Sequence, residues 1–308
     1  MLRRASWRVT AAGLRRSVGV AAVGALATTI GGCSGVLDPK GPIGRSDEII
    51  LLDSVAIMLA IVVPVILATL VFAWWFRASN TRAQHLPDWS YSGRLELMVW
   101  SIPLMVVLFL GGVAWIGAHD LDPGKPIASP VQPVNVDVVS LDWKWLFIYP
   151  DQGVASVNQL VIPAGVPVHF RLTSATVMNS FFVPQLGSQI YAMAGMTTRL
   201  NLQADKPGTF AGISAQFSGD GFSDMQFPVS ALTPGQFADW IAKAKASGAV
   251  LDANAYAQLA KPSYANPAIT YRQVDPGLFD TVLDLSAPGS TPAHPGPPAA
   301  TQPPQRQG

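Results

Sequence analysis

Three apolar stretches precede a change of period along this chain. Val18 to Ile30 is short, whereas Ser54 to Phe76 and Leu97 to Ala118 are long, uncharged and rich in Ile, Val, Leu and Ala. A hydrocarbon core of ~30 Å needs about 20 helical residues. The two long runs therefore predict transmembrane helices over 54–76 and 97–118, joined by a loop over 77–96. Trp74, Trp75, Trp100 and Trp115 sit where interfacial anchors belong. Pro64 and Pro103 are tolerable kinks if neighbouring helices satisfy the freed carbonyls.

Beyond a Pro- and Gly-rich linker over 119–133, the period falls to two. Val134, Val136 and Val138 alternate with polar residues, as do Val168, Phe170 and Leu172, and Thr198, Leu200 and Leu202. Such alternation marks half-buried strands. Turn signals at Pro150-Asp151, Pro163-Ala164-Gly165, Pro184 and Lys206-Pro207-Gly208 cut the stretch into short pieces. Many short strands in about a hundred residues predict an antiparallel sandwich over 134–232. From Thr233-Pro234 the pattern turns helical, with Phe237, Trp240, Ile241 and Ala244 on one face. That predicts a helical, aromatic-bearing extension over 233–283. The Pro- and Gln-rich tail over 284–308 lacks the apolar content to order itself.

Charge then orients the hairpin. Arg77, Arg82 and Arg94 lie between the spans with one Asp, Asp88, while Asp47, Glu48, Asp53, Asp120 and Asp122 flank the outer ends. Short Arg-rich loops face the cytoplasm, so the sandwich is expected on the outer side, in a bacterial periplasm. The N-terminus points the same way. Arg3, Arg4, Arg8, Arg15 and Arg16 precede the short apolar run, which ends in Ile30-Gly31-Gly32-Cys33. This is signal-peptide grammar over 1–32. The box before the chain's one cysteine resembles a lipoprotein cleavage site, which would leave Cys33 carrying acyl chains such as palmitate and heading a mature segment over 33–53. An ordinary signal peptide with a stray cysteine is the alternative. A net charge of +1 and 13% charged residues give no field for nucleic acid.

A two-span hairpin followed by an outer β-sandwich resembles subunit II of the haem–copper oxidases over roughly residues 46–232. The resemblance implies a cupredoxin-like outer domain. In the cytochrome c oxidase branch that domain holds two coppers on a His-Ser-Phe segment and a Cys-x-x-x-Cys-Gly-x-x-His-x-x-Met segment. Here the same spacing reads Asn179-Ser180-Phe181, then Ser214, Ser218-Gly219, Phe222 and Met225. Soft thiolates and imidazoles hold copper for electron transfer. Hydroxyl, amide and phenyl groups do not, and Met225 alone reads as core packing. The degenerate frame, with Leu141-Asp142-Trp143-Lys144-Trp145, Tyr149-Pro150 and Gly212-Ile213-Ser214-Ala215, is similar to the ubiquinol oxidase branch.

That branch implies a proton-pumping complex of the inner membrane that oxidises ubiquinol and reduces oxygen to water. Haems and copper would belong to subunit I, with subunits III and IV as further partners and no cofactor on this chain. Glu96, at the cytoplasmic mouth of the second span, matches a carboxylate at the entrance of a proton path in relatives; the plainer reading is a carboxylate facing a helix N-terminal dipole. Trp143, Trp145, Phe147 and Tyr149 read as one packed face of a strand rather than an electron path. A free-standing membrane-anchored binding lipoprotein and a copper-bearing cytochrome c oxidase subunit are the competing readings.

Overall fold

The computed structural model describes residues 35–84 and 86–287. Both long apolar runs are helical. Helix α1 spans Pro42–Trp75 and α2 spans Gly93–Asp120, each long and apolar enough to cross a bilayer. At 1.5 Å per residue, α1 is about 50 Å long, well beyond a ~30 Å core. Its surplus lies at the N-terminus, where the chain starts helical geometry at Pro42 rather than at the edge of the uncharged run. Pro is suited to this first turn because its missing N–H has no partner there anyway. These early turns stand on the outer domain: Gly44 N–H donates to Leu186 O at 3.1 Å, and Ser188 Oγ to Asp47 Oδ2 at 2.9 Å. Further along, both helices expose Leu, Val, Ile and Phe on most sides, as segments that meet lipid or other subunits must.

Two sheets make the sandwich. The strands are β1 Val134–Leu141, β2 Lys144–Tyr149, β3 Val154–Val157, β4 Leu160–Pro163, β5 Val168–Ser174, β6 Asn179–Phe182, β7 Ile190–Ala192, β8 Thr198–Leu202, β9 Gly208–Ser214 and β10 Gln226–Leu232. Two more, β11 Ala249–Leu251 and β12 Ile269–Val274, come from the C-terminal extension. The larger sheet runs β11-β12-β3-β2-β1-β5-β8 and the smaller β4-β10-β9-β6-β7. The sandwich is mixed rather than purely antiparallel. Strand β1 pairs in parallel with β5, and β4 with β10. The chain leaves the larger sheet at β4 and returns at β5, and such a crossover lets β5 run beside β1 in the same direction.

Between the sheets lies an aromatic core. Phe181 and Phe227 stack at 5.5 Å, and Trp145 meets both rings edge-on. Tyr149 OH donates to Val161 O at 3.0 Å and accepts from Val161 N at 2.9 Å, tying β2 to β4 in the other sheet. Helix α3, Pro234–Ala246, starts at a capping box in which Thr233 and Gln236 satisfy each other's backbone N–H groups. Its Phe237 and Trp240 close the core against Tyr149.

The extension changes the picture most. Besides α4 (Ala253–Leu259) and α5 (Leu278–Leu285), it adds strands to the larger sheet. It lays Leu251, Tyr271, Val274, Leu278, Phe279 and Val282 on the outer face of that sheet, against Val139, Leu146, Ile148 and Val157. Strand β2 is therefore buried on both faces, where its pattern predicted one. Arg171 clips α5 in place. Its Nε and Nη2 each donate to Asp137 carboxylate oxygens at 2.7 Å, and its guanidinium lies 4.7 Å from the Phe279 ring centre. Residues 284 and 285, expected in the tail, close this helix instead, and 288–308 lie outside the described residues.

Candidate functional site

The five positions of the degenerate copper frame converge at one end of the smaller sheet. Asn179 opens β6, Ser214 closes β9, and Ser218, Phe222 and Met225 belong to the connection from β9 to β10. Backbone bonds hold this connection against its neighbours: Ala215 N–H donates to Ser180 O at 2.9 Å and Ser214 N–H to Met225 O at 3.0 Å. A short 3-10 turn, Phe222–Asp224, brings Met225 under the loop, where it is buried with the core aromatics.

The side chains satisfy each other instead of pointing at a common centre. Ser214 Oγ donates to Asn179 Oδ1 at 2.9 Å, with both residues buried. Ser218 Oγ lies 3.5 Å from Met225 Sδ as a donor. Phe222 packs on Phe217 at 5.7 Å. The lone pair that a metal would need on Asn179 is engaged by a hydroxyl proton, and the remaining donors are a thioether and neutral hydroxyls, the poorest set for copper. The residues do not fit a dinuclear copper centre. Among the described residues, no group of three or more His, Cys, Asp or Glu side chains gathers to hold a metal. His169 Nδ1 is 2.7 Å from Asn201 Oδ1 on the larger sheet, and His119 Nδ1 is 2.9 Å from Trp115 O on α2. Cys33, His85 and His294 lie outside the described residues.

Glu96 occupies the first turn of α2 and is exposed. Its N–H donates to Ser92 O at 3.0 Å, so the carboxylate sits where a helix N-terminus is electropositive. It is far in sequence and in the fold from the degenerate frame, at the other end of a helix of 28 residues.

The aromatic stretch divides. Trp145, Phe147 and Tyr149 are fully buried in the core between the sheets. Trp143 is not on their face. It precedes β2 in a left-handed conformation, φ 64°, and turns out over the β9–β10 connection, with Nε1–H donating to Ser218 O at 3.2 Å. Lys144 is the residue that sequence reasoning passed over. It is almost fully buried, and its ammonium donates to Asp142 O at 2.9 Å, Lys261 O at 2.9 Å and Ser263 Oγ at 2.6 Å. Desolvation by burial lowers its pKa, partly offset by the Asp142 charge. A lysine between two tryptophans in an apolar strand was the available signal, since a buried cation needs several oxygen partners. On the other side of Trp143, the Tyr264 ring stacks on the indole at 4.7 Å.

Comparison with known proteins adds two family matches and a set of close relatives. Residues 151–232 match the model described as "Cytochrome C oxidase subunit II, periplasmic domain", and residues 245–286 match "COX Aromatic Rich Motif". The chain is 49% identical over 258 residues to a cytochrome bo(3) ubiquinol oxidase subunit 2 of Pseudomonas aeruginosa, covering 83% of this chain and 78% of that protein. It is 50% identical over 256 residues to its counterpart in Pseudomonas putida, covering 83% and 82%. It is 48% identical over 269 residues to a ubiquinol oxidase subunit 2 of Acetobacter aceti, covering 86% and 87%.

Proposed function

Since the chain belongs to the subunit 2 family of haem–copper ubiquinol oxidases, we propose that it is the membrane-anchored, cofactor-free subunit of a complex that oxidises ubiquinol, reduces oxygen to water and pumps protons. The observation that carries this reading is the Ser214–Asn179 hydrogen bond inside a frame of copper-site spacing. With these side chains satisfied by one another, electrons have no relay in the outer domain. Ubiquinol delivers them from within the membrane, and the haems and copper belong to subunit I. The bilayer concerned is the bacterial inner membrane, with subunits III and IV as further partners.

Two finer assignments accompany this. Glu96 serves as a proton-entry group on the inner face, because an ionisable side chain at a membrane border on a span of an oxidase is placed to receive protons from water. Cys33 carries acyl chains that fasten the mature N-terminus to the outer face.

One experiment tests the core of the proposal. The complex is purified through a tag on this chain, as wild type and as Glu96→Gln. The wild type is expected to carry haem in its reduced-minus-oxidised spectrum and to consume oxygen with ubiquinol. The variant is expected to hold the same haem per chain and turn over more slowly. A wild-type preparation without haem would end the oxidase assignment. Equal turnover in the two would end the role of Glu96 alone.

A further inference from the structure

Three non-glycine residues among those described adopt a positive φ: Trp143 at 64°, Asn158 at 52° and Ala265 at 47°. A bulky side chain in this region is strained, and it persists only where the surroundings dictate it. All three belong to one network. It joins the segment 261–266 of the C-terminal extension to the connection between β9 and β10.

Tyr264 stacks on the outer side of Trp143, with the rings 21° from parallel. The inner side of Trp143 lies against Gly219 and Gly221. A Cβ at Gly221 would fall 2.5 Å from the indole, and one at Gly219 would fall 3.3 Å from it. Only glycines let the ring approach so closely, and Gly219 also has φ 111°. Trp143 Nε1 then bonds Ser218 O. Ala265 N–H donates to Asp224 Oδ2 at 3.2 Å, reaching the 3-10 turn directly. Behind this face, the Lys144 ammonium holds Lys261 O and Ser263 Oγ. Asn158 Nδ2 donates to Asn266 O at 3.0 Å while its Oδ1 accepts from Trp145 N–H at 2.8 Å. The segment is thus pinned at both ends to the sandwich and presses a tryptophan onto the loop that carries Ser218 and Phe222.

We propose that segment 261–266 is a strap that keeps the β9–β10 connection closed, with Tyr264 and Trp143 as the clasp. The connection needs such an external hold. Its own side-chain ties are a hydroxyl–amide bond, a hydroxyl–thioether contact and a pair of phenyl rings, none comparable to a metal bridging both segments. The strap organises from outside a loop that has no ligand to organise it from within. This holds whatever reaction the complex performs.

The test uses the full chain, extracted from the membrane with its accompanying subunits, in three forms: wild type, Tyr264→Phe and Tyr264→Ala. Tyr264 is largely exposed, so its loss does not unmake the core. Hydrogen exchange is followed at Phe222, Asp224 and Met225, whose N–H groups bond within the loop. Tyr264→Ala is expected to speed their exchange about fivefold, the size of shift that a lost aromatic pair supports. Tyr264→Phe keeps the stacked ring and should exchange as wild type does. Amides of β1, β5 and β8 should be unaffected in both. Unchanged exchange at the three loop amides in Tyr264→Ala would overturn the strap. So would an equal rise throughout the sandwich, since that reports general loosening, or a rise in Tyr264→Phe as large as in Tyr264→Ala.

Discussion

Tyr149 shows how one side chain joins the two sheets and makes stability depend on pH. Its hydroxyl both donates to and accepts from the Val161 backbone, and burial pushes its pKa well above the usual value. The unfolded chain would ionise this phenol near pH 10, while the folded chain keeps it protonated. The unfolded state thus binds fewer protons above that pH, and stability falls as pH rises beyond about 10. Tyr149→Phe should remove part of this alkaline decline. At neutral pH it should cost about 1–3 kcal/mol, because the buried Val161 groups lose their partner. Thermal unfolding of both forms at pH 7 and pH 10.5 checks the two effects, and a variant with an unaltered alkaline slope would refute the linkage. Lys144 follows a related logic with different consequences. A cation placed in an apolar strand requires oxygen on every side, and the extension supplies two of its three acceptors. The degenerate frame is the converse case: its buried polar side chains Ser214 and Asn179 are satisfied by bonding one another.

Strand β2 and the C-terminal extension are interdependent as elements. A strand with both faces buried needs cover on each, and α5 with β12 provides the outer cover. Burial of a phenylalanine such as Phe279, 3% exposed, contributes through area removed from water and through the cavity its loss would leave. Phe279→Ala should therefore lower stability by ~3 kcal/mol. It should also weaken the hold of Arg171, which lies over that ring and also faces Asp280 at 3.6 Å. The measurement is the denaturation midpoint of the purified complex, with a surface change such as Asp284→Ala as reference. Equal midpoints for Phe279→Ala and the reference would show that the extension merely rests on the sheet. The helical face shared by Phe237, Trp240, Ile241 and Ala244 predicts a helical extension. The two added strands leave no comparable pattern. They are short, and Ala249–Leu251 acquires strand geometry only from its partner β12, in keeping with the context dependence of β structure.

As a molecule, the protein is a hairpin in the bilayer carrying a sandwich on one side. Its first helix continues past the membrane to stand against the loop between β6 and β7. The linker after α2 is tied to the sandwich as well, with Pro123 O accepting from Asn201 N–H at 2.9 Å and from Asn201 Nδ2 at 3.1 Å. The Arg-rich loop fixes which end is inside. A thiol introduced by Met196→Cys, on the exposed surface of the sandwich, should react with a membrane-impermeant maleimide in intact spheroplasts. One introduced by Tyr91→Cys, in the loop between the spans, should react only after the membrane is opened. Labelling in the reverse order would invert the assigned topology.

Two spans, their polarity and the spacing of a copper frame without its ligands are all properties of local composition and residue order. They were legible along the chain because bilayer thickness, loop charge and motif spacing act on short windows. The family followed from the same letters. Other features arise only when distant segments meet. Segment 261–266 lies over a hundred residues from Lys144 and Asn158 in sequence (|i−j| of 117 for Lys144 to Lys261). No periodicity within either stretch announces that contact. The parallel pairing of β1 with β5, the second buried face of β2 and the left-handed backbone at Trp143 were likewise decided by packing. In each case the local preference was overruled by partners whose identity depends on the completed fold.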